Sequence, residues 1–220
     1  MSSDTTTPSK TYPPLEGKAK VAGTIALSVA VFMNALDMSI ANVSIPTIAG
    51  DLGVSTTQGT WVITSFGVAN AVTVPLTGWL TQRFGQVRLF VLSMLLFVLA
   101  SWLCGLAWSL ESLVFFRILQ GAVAGPMIPL SQALMLGSYP RDKAGMALAM
   151  WGMTILVGPI AGPLLGGWIS DNYSWPWILY INVPIVLVAG WVCWHIYKDR
   201  DSERRRLPIV LMVLSLFLMW

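Results

Sequence analysis

Two full charges of opposite sign stand inside long apolar runs of this chain. Asp37 lies in "NALDMSIANVSIP" (residues 34–46), within an apolar run from Val21 to about Ala49, and Arg117 lies in "ESLVFFRILQG" (residues 111–121). A charge at membrane depth costs about 2.5 kcal/mol or more at a helix centre, so each needs a partner. At about 1.5 Å per residue, Asp37 is roughly 25 Å from the inner end of a first span, and Arg117 about 9 Å from the outer end of a fourth. Opposite sign at equal depth predicts an ion pair. Two roles fit such a pair. It can fix helix register alone, or Asp37 can carry a proton, its charge opposed by desolvation and favoured by the arginine, so that wetting of a cavity from either side shifts the balance.

The elements that position these groups follow from composition. The chain has 220 residues, 55% hydrophobic and only 10% charged, with a mean hydropathy of +0.70. Soluble domains carry roughly 25% charged residues. Apolar runs long enough to cross a hydrocarbon core of about 30 Å recur along the chain. They predict six membrane helices at about 21–45, 59–80, 87–108, 112–136, 145–169 and 176–197, and a seventh from Leu207 that is cut off at Trp220. Residues 1–17, polar and containing Pro8, Pro13 and Pro14, read as a flexible tail. The expected organisation is therefore this tail, a six-span unit over 18–197, a basic loop at 198–206 and the start of a seventh span at 207–220.

Charge sets the orientation. Twelve of the thirteen basic residues flank the spans on one side, Arg117 being the thirteenth, while the alternate loops hold Asp51, Glu111 and Asp171. The positive-inside rule places the N-terminus and the basic loops in the cytoplasm, and no removable signal peptide is discernible. Trp61, Trp102, Trp108, Trp168, Trp175 and Trp177 fall near outer span ends, and Trp79, Trp191 and Trp194 near inner ends, the pattern of interfacial belts. Cys104 and Cys193 fall within spans and read as packing residues.

Backbone breakers mark a further feature. In "GPIAGPLLGGW" glycines 158, 162 and 166 recur every four residues, followed by Gly167, and Pro159 and Pro163 lie between them. The small residues line one helix face, and the prolines remove amide donors and are expected to kink the helix. A packing face is one reading and a hinge or sealing surface the other. Asn34, Met38, Asn42, Asn70, Gln120 and Gln132 are the candidate substrate-facing residues, with Met33 and Met127 as further adaptable apolar lining. A weakly polar cavity with one acid suits hydrophobic compounds better than sugars or phosphates.

These segments resemble the signatures of the major facilitator superfamily, in its fourteen-span drug:proton antiporter branch of the EmrB/QacA type. "LDMSIANVSIP", with Asp37, Ile40, Asn42 and Pro46, resembles the first-span motif. "RILQGAVAG", with Arg117, Gln120 and Gly121, resembles the fourth-span motif, and "GPIAGPLLGG" the fifth-span antiporter motif. "WPWILYINVP" is similar to the segment that follows it. "GWLTQRFGQVRLF" resembles the loop motif between spans two and three through Gly78, Arg83, Gly85 and Arg88. It departs from the motif at Gln82, where an acid is usual, and at Val87, where a basic residue is usual.

The resemblance implies an all-α polytopic membrane protein. Its six spans would form the N-terminal half of a major facilitator fold, built as 3+3 inverted repeats around a midplane site. It implies a proton-coupled exporter of hydrophobic drugs and toxic compounds working by alternating access in the bacterial inner membrane. The C-terminal half of the transporter, a periplasmic membrane-fusion adaptor and an outer-membrane channel would be its partners, and the chain would be part of a longer protein. A proton-coupled exporter of one metabolite or siderophore would share these motifs, and a non-transporting scaffold is a remoter alternative. His195 is the single histidine, and the sequence has no nucleophile elbow, zinc motif or phosphate loop. No enzyme activity, cofactor, metal or nucleic-acid partner is expected.

Overall fold

The structure is a computed structural model that describes residues 13–201. The predicted seventh span at 207–220 lies outside the described residues, as do most of the tail and the end of the basic loop. Six helices are long and apolar enough to cross a membrane: α1 Gly17–Val43, α2 Thr56–Phe84, α3 Gln86–Gly105, α4 Leu110–Ser138, α5 Arg141–Asn172 and α6 Trp177–Arg200. They correspond one to one with the expected spans. α1 begins at Gly17, before the apolar run, and α5 extends beyond both expected ends. Main-chain hydrogen bonding propagates a helix past its hydrophobic stretch, which hydropathy alone does not register. A short helix, Ile45–Asp51, follows α1 after Ser44, with Pro46 in its first turn.

The packing has an internal symmetry. α1 packs most extensively on α5 and then on α6, while α4 packs on α2 and then on α3. Exchanging helices 1–3 for helices 4–6 maps the first set of contacts onto the second, as two three-helix repeats require. α1 and α4 also meet each other, and α3 meets α6.

α5 runs as one helix from Ala144 to Asn172, through both prolines, so the expected kink does not break it. Its buried glycines explain the register. A Cβ at Gly158 would stand 2.7 Å from the Ala35 Cβ, one at Gly162 would strike Ser39, and one at Gly166 would lie 2.8 Å from Ile40. The glycine face is the α1 contact. Pro163 has no N–H to donate to the Pro159 carbonyl four residues back. The Ser39 hydroxyl of α1 donates to that carbonyl at 3.3 Å. Gly167 is off this face, with open space around its Cα.

α4 is interrupted between Ala124 and Met127, where Gly125-Pro126 forms a turn. On α4, Gly121 abuts the Phe66 carbonyl of α2, and Gly125 abuts Thr73. Close backbone approach thus governs α2–α4 as it governs α1–α5. Of the expected belt, Trp61, Trp102, Trp108, Trp168, Trp177, Trp191 and Trp194 are exposed on the helix bundle. Trp175 is the correction: it is buried and belongs to the hydrophobic core rather than to the exposed belt.

The α1–α5 interface should therefore respond to bulk at one face only. Gly162→Val overpacks the contact and is expected to destabilise by about 1–3 kcal/mol, lowering the melting temperature of the detergent-solubilised full-length protein. Gly167→Ala should leave it unchanged.

Candidate functional site

Asp37 and Arg117 meet in the interior. Arg117 Nη1 donates to Asp37 Oδ2 at 2.6 Å, and both side chains are fully buried. Burial of an ion pair is tolerated when further hydrogen bonds satisfy the remaining lone pairs and protons. The second carboxylate oxygen, Asp37 Oδ1, accepts from Asn182 Nδ2 at 2.7 Å and from Gln120 Nε2 at 3.2 Å. Arg117 Nη1 also donates to Gln120 Oε1 at 2.7 Å, and Nε donates to the Val62 carbonyl at 3.2 Å. The Phe66 ring lies under the guanidinium, 4.4 Å from Cζ, where its quadrupole attracts the cation.

The network reaches further into α3 and α6. Asn182 Nδ2 donates to Ser101 Oγ at 3.1 Å, and Ser101 Oγ donates to the Leu179 carbonyl at 2.9 Å. Cys104, a free buried thiol, donates to Gln120 Oε1 at 3.6 Å. Five helices therefore converge on one carboxylate: α1 carries it, and α2, α3, α4 and α6 hold it or its partners.

A cavity of about 480 Å³ adjoins this cluster, walled by α1, α2, α4 and α5. Its lining includes Asn34, Met38, Asn42 and Asn70 among the residues singled out from sequence, with Phe66 and Pro159. Phe66 both faces the cavity and covers Arg117, so a single ring separates the cavity from the ion pair. Asn34 Nδ2 donates to the Ala124 carbonyl at 3.4 Å, at the interruption of α4. No lysine or arginine lines the cavity among the described residues. Larger grooves of about 740 and 680 Å³ lie away from Asp37, lined almost wholly by apolar side chains.

Other candidate residues fall elsewhere. Gln120 is fully buried in the charged cluster and does not line the cavity, because it is three residues from Arg117 on the same helix face. Gln132 is half-buried on α4, outside the cavity lining. Met33 and Met127 are core residues. Asn182 and Ser101 escaped sequence reasoning. The available signal was Asn182 itself, a side-chain amide inside the apolar stretch "YINVPIVLVAG".

The loop motif has its own solution to the missing acid. Gly78, Arg83 and Arg88 are exposed, and Arg83 stacks over Trp79 with Cζ 5.4 Å from the ring centroid. Gly85, at φ 89°, turns the chain between α2 and α3. Asp201, beyond α6, lies so close to it that a Cβ at Gly85 would be 2.5 Å from the carboxylate. Asp201 Oδ1 accepts from the Val87 N–H at 2.9 Å, and Oδ2 is 3.4 Å from Arg88 Nε. A carboxylate thus caps the N-terminus of α3, where the helix dipole favours negative charge. An acid therefore stands beside this loop, supplied by Asp201 from far along the chain.

Two outcomes follow for the purified full-length protein. Asp37→Ala strands a buried cation and should cost about 3–5 kcal/mol, with Asp37→Asn combined with Arg117→Gln recovering much of it in thermal unfolding. Asp201→Ala should cost about 1 kcal/mol through loss of the cap.

Comparison with known proteins places this geometry. The model of the Major Facilitator Superfamily matches residues 27–217. The chain is 62% identical over 200 residues to the multidrug export protein EmrB of Haemophilus influenzae, covering 91% of this chain and 39% of that protein. It is 58% identical over 199 residues to EmrB of Escherichia coli K12, covering 90% and 39%. It is 57% identical over 197 residues to the fatty acid resistance protein FarB of Neisseria gonorrhoeae, again covering 90% and 39%. The chain thus spans well under half the length of these relatives. A crystal structure of the peptide transporter POT superposes with a TM-score of 0.74 at 16% identity, over 90% of this chain and 43% of that one. A bacterial homologue of the human lysosomal transporter Spinster gives 0.68 at 19%, over 87% and 45%. The six-helix fold, the buried ion pair and the matched sequence agree: the chain belongs to the Major Facilitator Superfamily.

Proposed function

We propose that this chain forms the N-terminal six-helix half of a proton-coupled exporter of hydrophobic compounds, with Asp37 as its proton carrier. The observation that carries the reading is a buried carboxylate, held by an arginine, one aromatic ring away from a weakly polar cavity. Protonation of Asp37 removes the charge that Arg117 neutralises. The α1–α4 bond then weakens, and the guanidinium's remaining hold is Gln120, the Val62 carbonyl and Phe66. A substrate entering beside Phe66 senses that change through one ring. The relatives' names, multidrug export and fatty acid resistance, support an apolar cargo, as does the absence of basic side chains in the lining among the described residues.

Alternating access needs a second half. Over their most apolar stretches only 22% of α2 and 11% of α5 residues are buried. These two uncovered helices adjoin the cavity and are the faces against which a C-terminal half would rock. The basic helix ends support a cytoplasmic N-terminus in a bacterial inner membrane, with a periplasmic adaptor and an outer-membrane channel as further partners. The tail at 1–17, the six-span unit at 18–197, the loop at 198–206 and the span from 207 retain their expected roles in this proposal. Asn34, Met38, Asn42 and Asn70 form the substrate face. Export of a single metabolite is the second reading, motivated by the fatty acid resistance relative.

In inverted vesicles containing the full-length protein, substrates such as ethidium should discharge an imposed pH gradient. Asp37→Asn should abolish that discharge while retaining substrate binding. Undiminished coupling in the variant refutes Asp37 as the carrier. Competition among unrelated apolar compounds supports multidrug export, and response to one compound alone supports the second reading.

A further inference from the structure

Asn182 presents an asymmetry that the ion pair does not explain. Its side chain is fully buried, and its Nδ2 serves both Asp37 Oδ1 and Ser101 Oγ. Its Oδ1 has no hydrogen-bond partner. It is the only buried side-chain acceptor in that position among the described residues, since the other unpartnered atoms, Trp79 Nε1 and Arg117 Nη2, are donors. A buried acceptor left empty is costly and calls for a reason.

The reason lies in what a carboxyl group needs in its two states. As a carboxylate Asp37 only accepts, and three donors meet it: Arg117, Gln120 Nε2 and Asn182 Nδ2. As an acid it must also donate from one oxygen. Gln120 Oε1 is already taken by Arg117 and Cys104. The vacant acceptor is Asn182 Oδ1. A half-turn about the Asn182 Cβ–Cγ bond exchanges Nδ2 and Oδ1 and brings the carbonyl oxygen to Asp37. That oxygen then also faces Ser101, whose hydroxyl can turn to it only by releasing the Leu179 carbonyl. Leu179 lies in the short helix Trp177–Tyr180 that opens α6.

We propose that Asn182 is a positioning residue that reads the protonation state of Asp37 and passes it, through Ser101, to the α3–α6 junction. The proposal rests on Asp37 being the proton carrier. The groups that face the carboxyl are few. α4 supplies Arg117 and Gln120, α3 supplies the Cys104 thiol and Ser101, α6 supplies Asn182, and α2 supplies the Val62 carbonyl and Phe66 to Arg117. Arg117 is the only other full charge in the cluster, and of the two amides on Asp37 Oδ1 only Asn182 has an acceptor to spare.

The test is a pH titration of the protonated-carboxyl C=O stretch by difference infrared spectroscopy, on full-length protein in lipid. A band lost in Asp37→Asn belongs to Asp37. Asn182→Leu keeps the volume and removes both the bond to the carboxylate and the weaker bond to the acid, so the midpoint should move to higher pH by about one unit, the excess of a hydrogen bond to a charge over one between neutral groups. Ser101→Ala, which frees the amide without touching Asp37, should move it less, and serves alone if the leucine variant does not fold. An unmoved midpoint in the folded variants overturns the role of Asn182 while leaving Asp37 as the carrier. Absence of any band dependent on Asp37 overturns the carrier reading, and this inference with it.

Discussion

A buried carboxylate and the guanidinium that neutralises it organise the bundle. In the low-dielectric interior neither Asp37 nor Arg117 is tolerable alone, and the pair is supported by further hydrogen bonds to the second carboxylate oxygen and to Arg117 Nη1 and Nε. Those partners come from α2, α4 and α6, and α3 holds two of them in turn, so the ion pair ties together the rotation of five helices. α4 must turn Arg117 and Gln120 together toward α1, and α6 must present Asn182 at the same level. The glycine contacts then set how closely the helices approach: α5 against α1, and α4 against α2. Direction comes from the polar cluster and distance from the missing side chains.

Much of this was legible in the residues. Hydropathy located six helices because a bilayer demands uninterrupted main-chain bonding across about 30 Å, a constraint that leaves a long signal. Depth counting brought Asp37 and Arg117 together, since rise per residue is nearly invariant. Rotation was harder to read. Gln120 sits one turn from Arg117 and shares its face, a relation of spacing that assigns it to the charge rather than to the cavity. Asn182 carries no charge, and a lone amide in an apolar run signals weakly even when it holds the central carboxylate. Trp175 failed for a related reason: proximity to a span end does not say whether the chain there faces lipid or folds over the core. Asp201 is 119 positions from Gln82, and only the closed bundle brings that end of the chain to the start of α3.

The prolines show how a local rule can hold while its usual consequence does not. Pro159 and Pro163 do remove donors from α5, yet the helix stays continuous because a hydroxyl from a neighbour supplies what the backbone lacks. The same economy recurs at the interruption of α4, where Asn34 reaches the Ala124 carbonyl. In both places α1 is the donor, which makes it the structural centre of the bundle as well as the bearer of its acid.

That bond from Ser39 to the Pro159 carbonyl has a bearing on biogenesis. A nascent helix released sideways from the insertion machinery must satisfy its own backbone in hydrocarbon, and α5 by itself cannot. Its carbonyl at Pro159 stays unmet until α1 is alongside. The first helix made must therefore remain within reach while three more are threaded, and α5 settles by lateral capture onto it. The order in which the chain leaves the ribosome and the order in which its helices become mutually stable are, for this pair, different sequences of events.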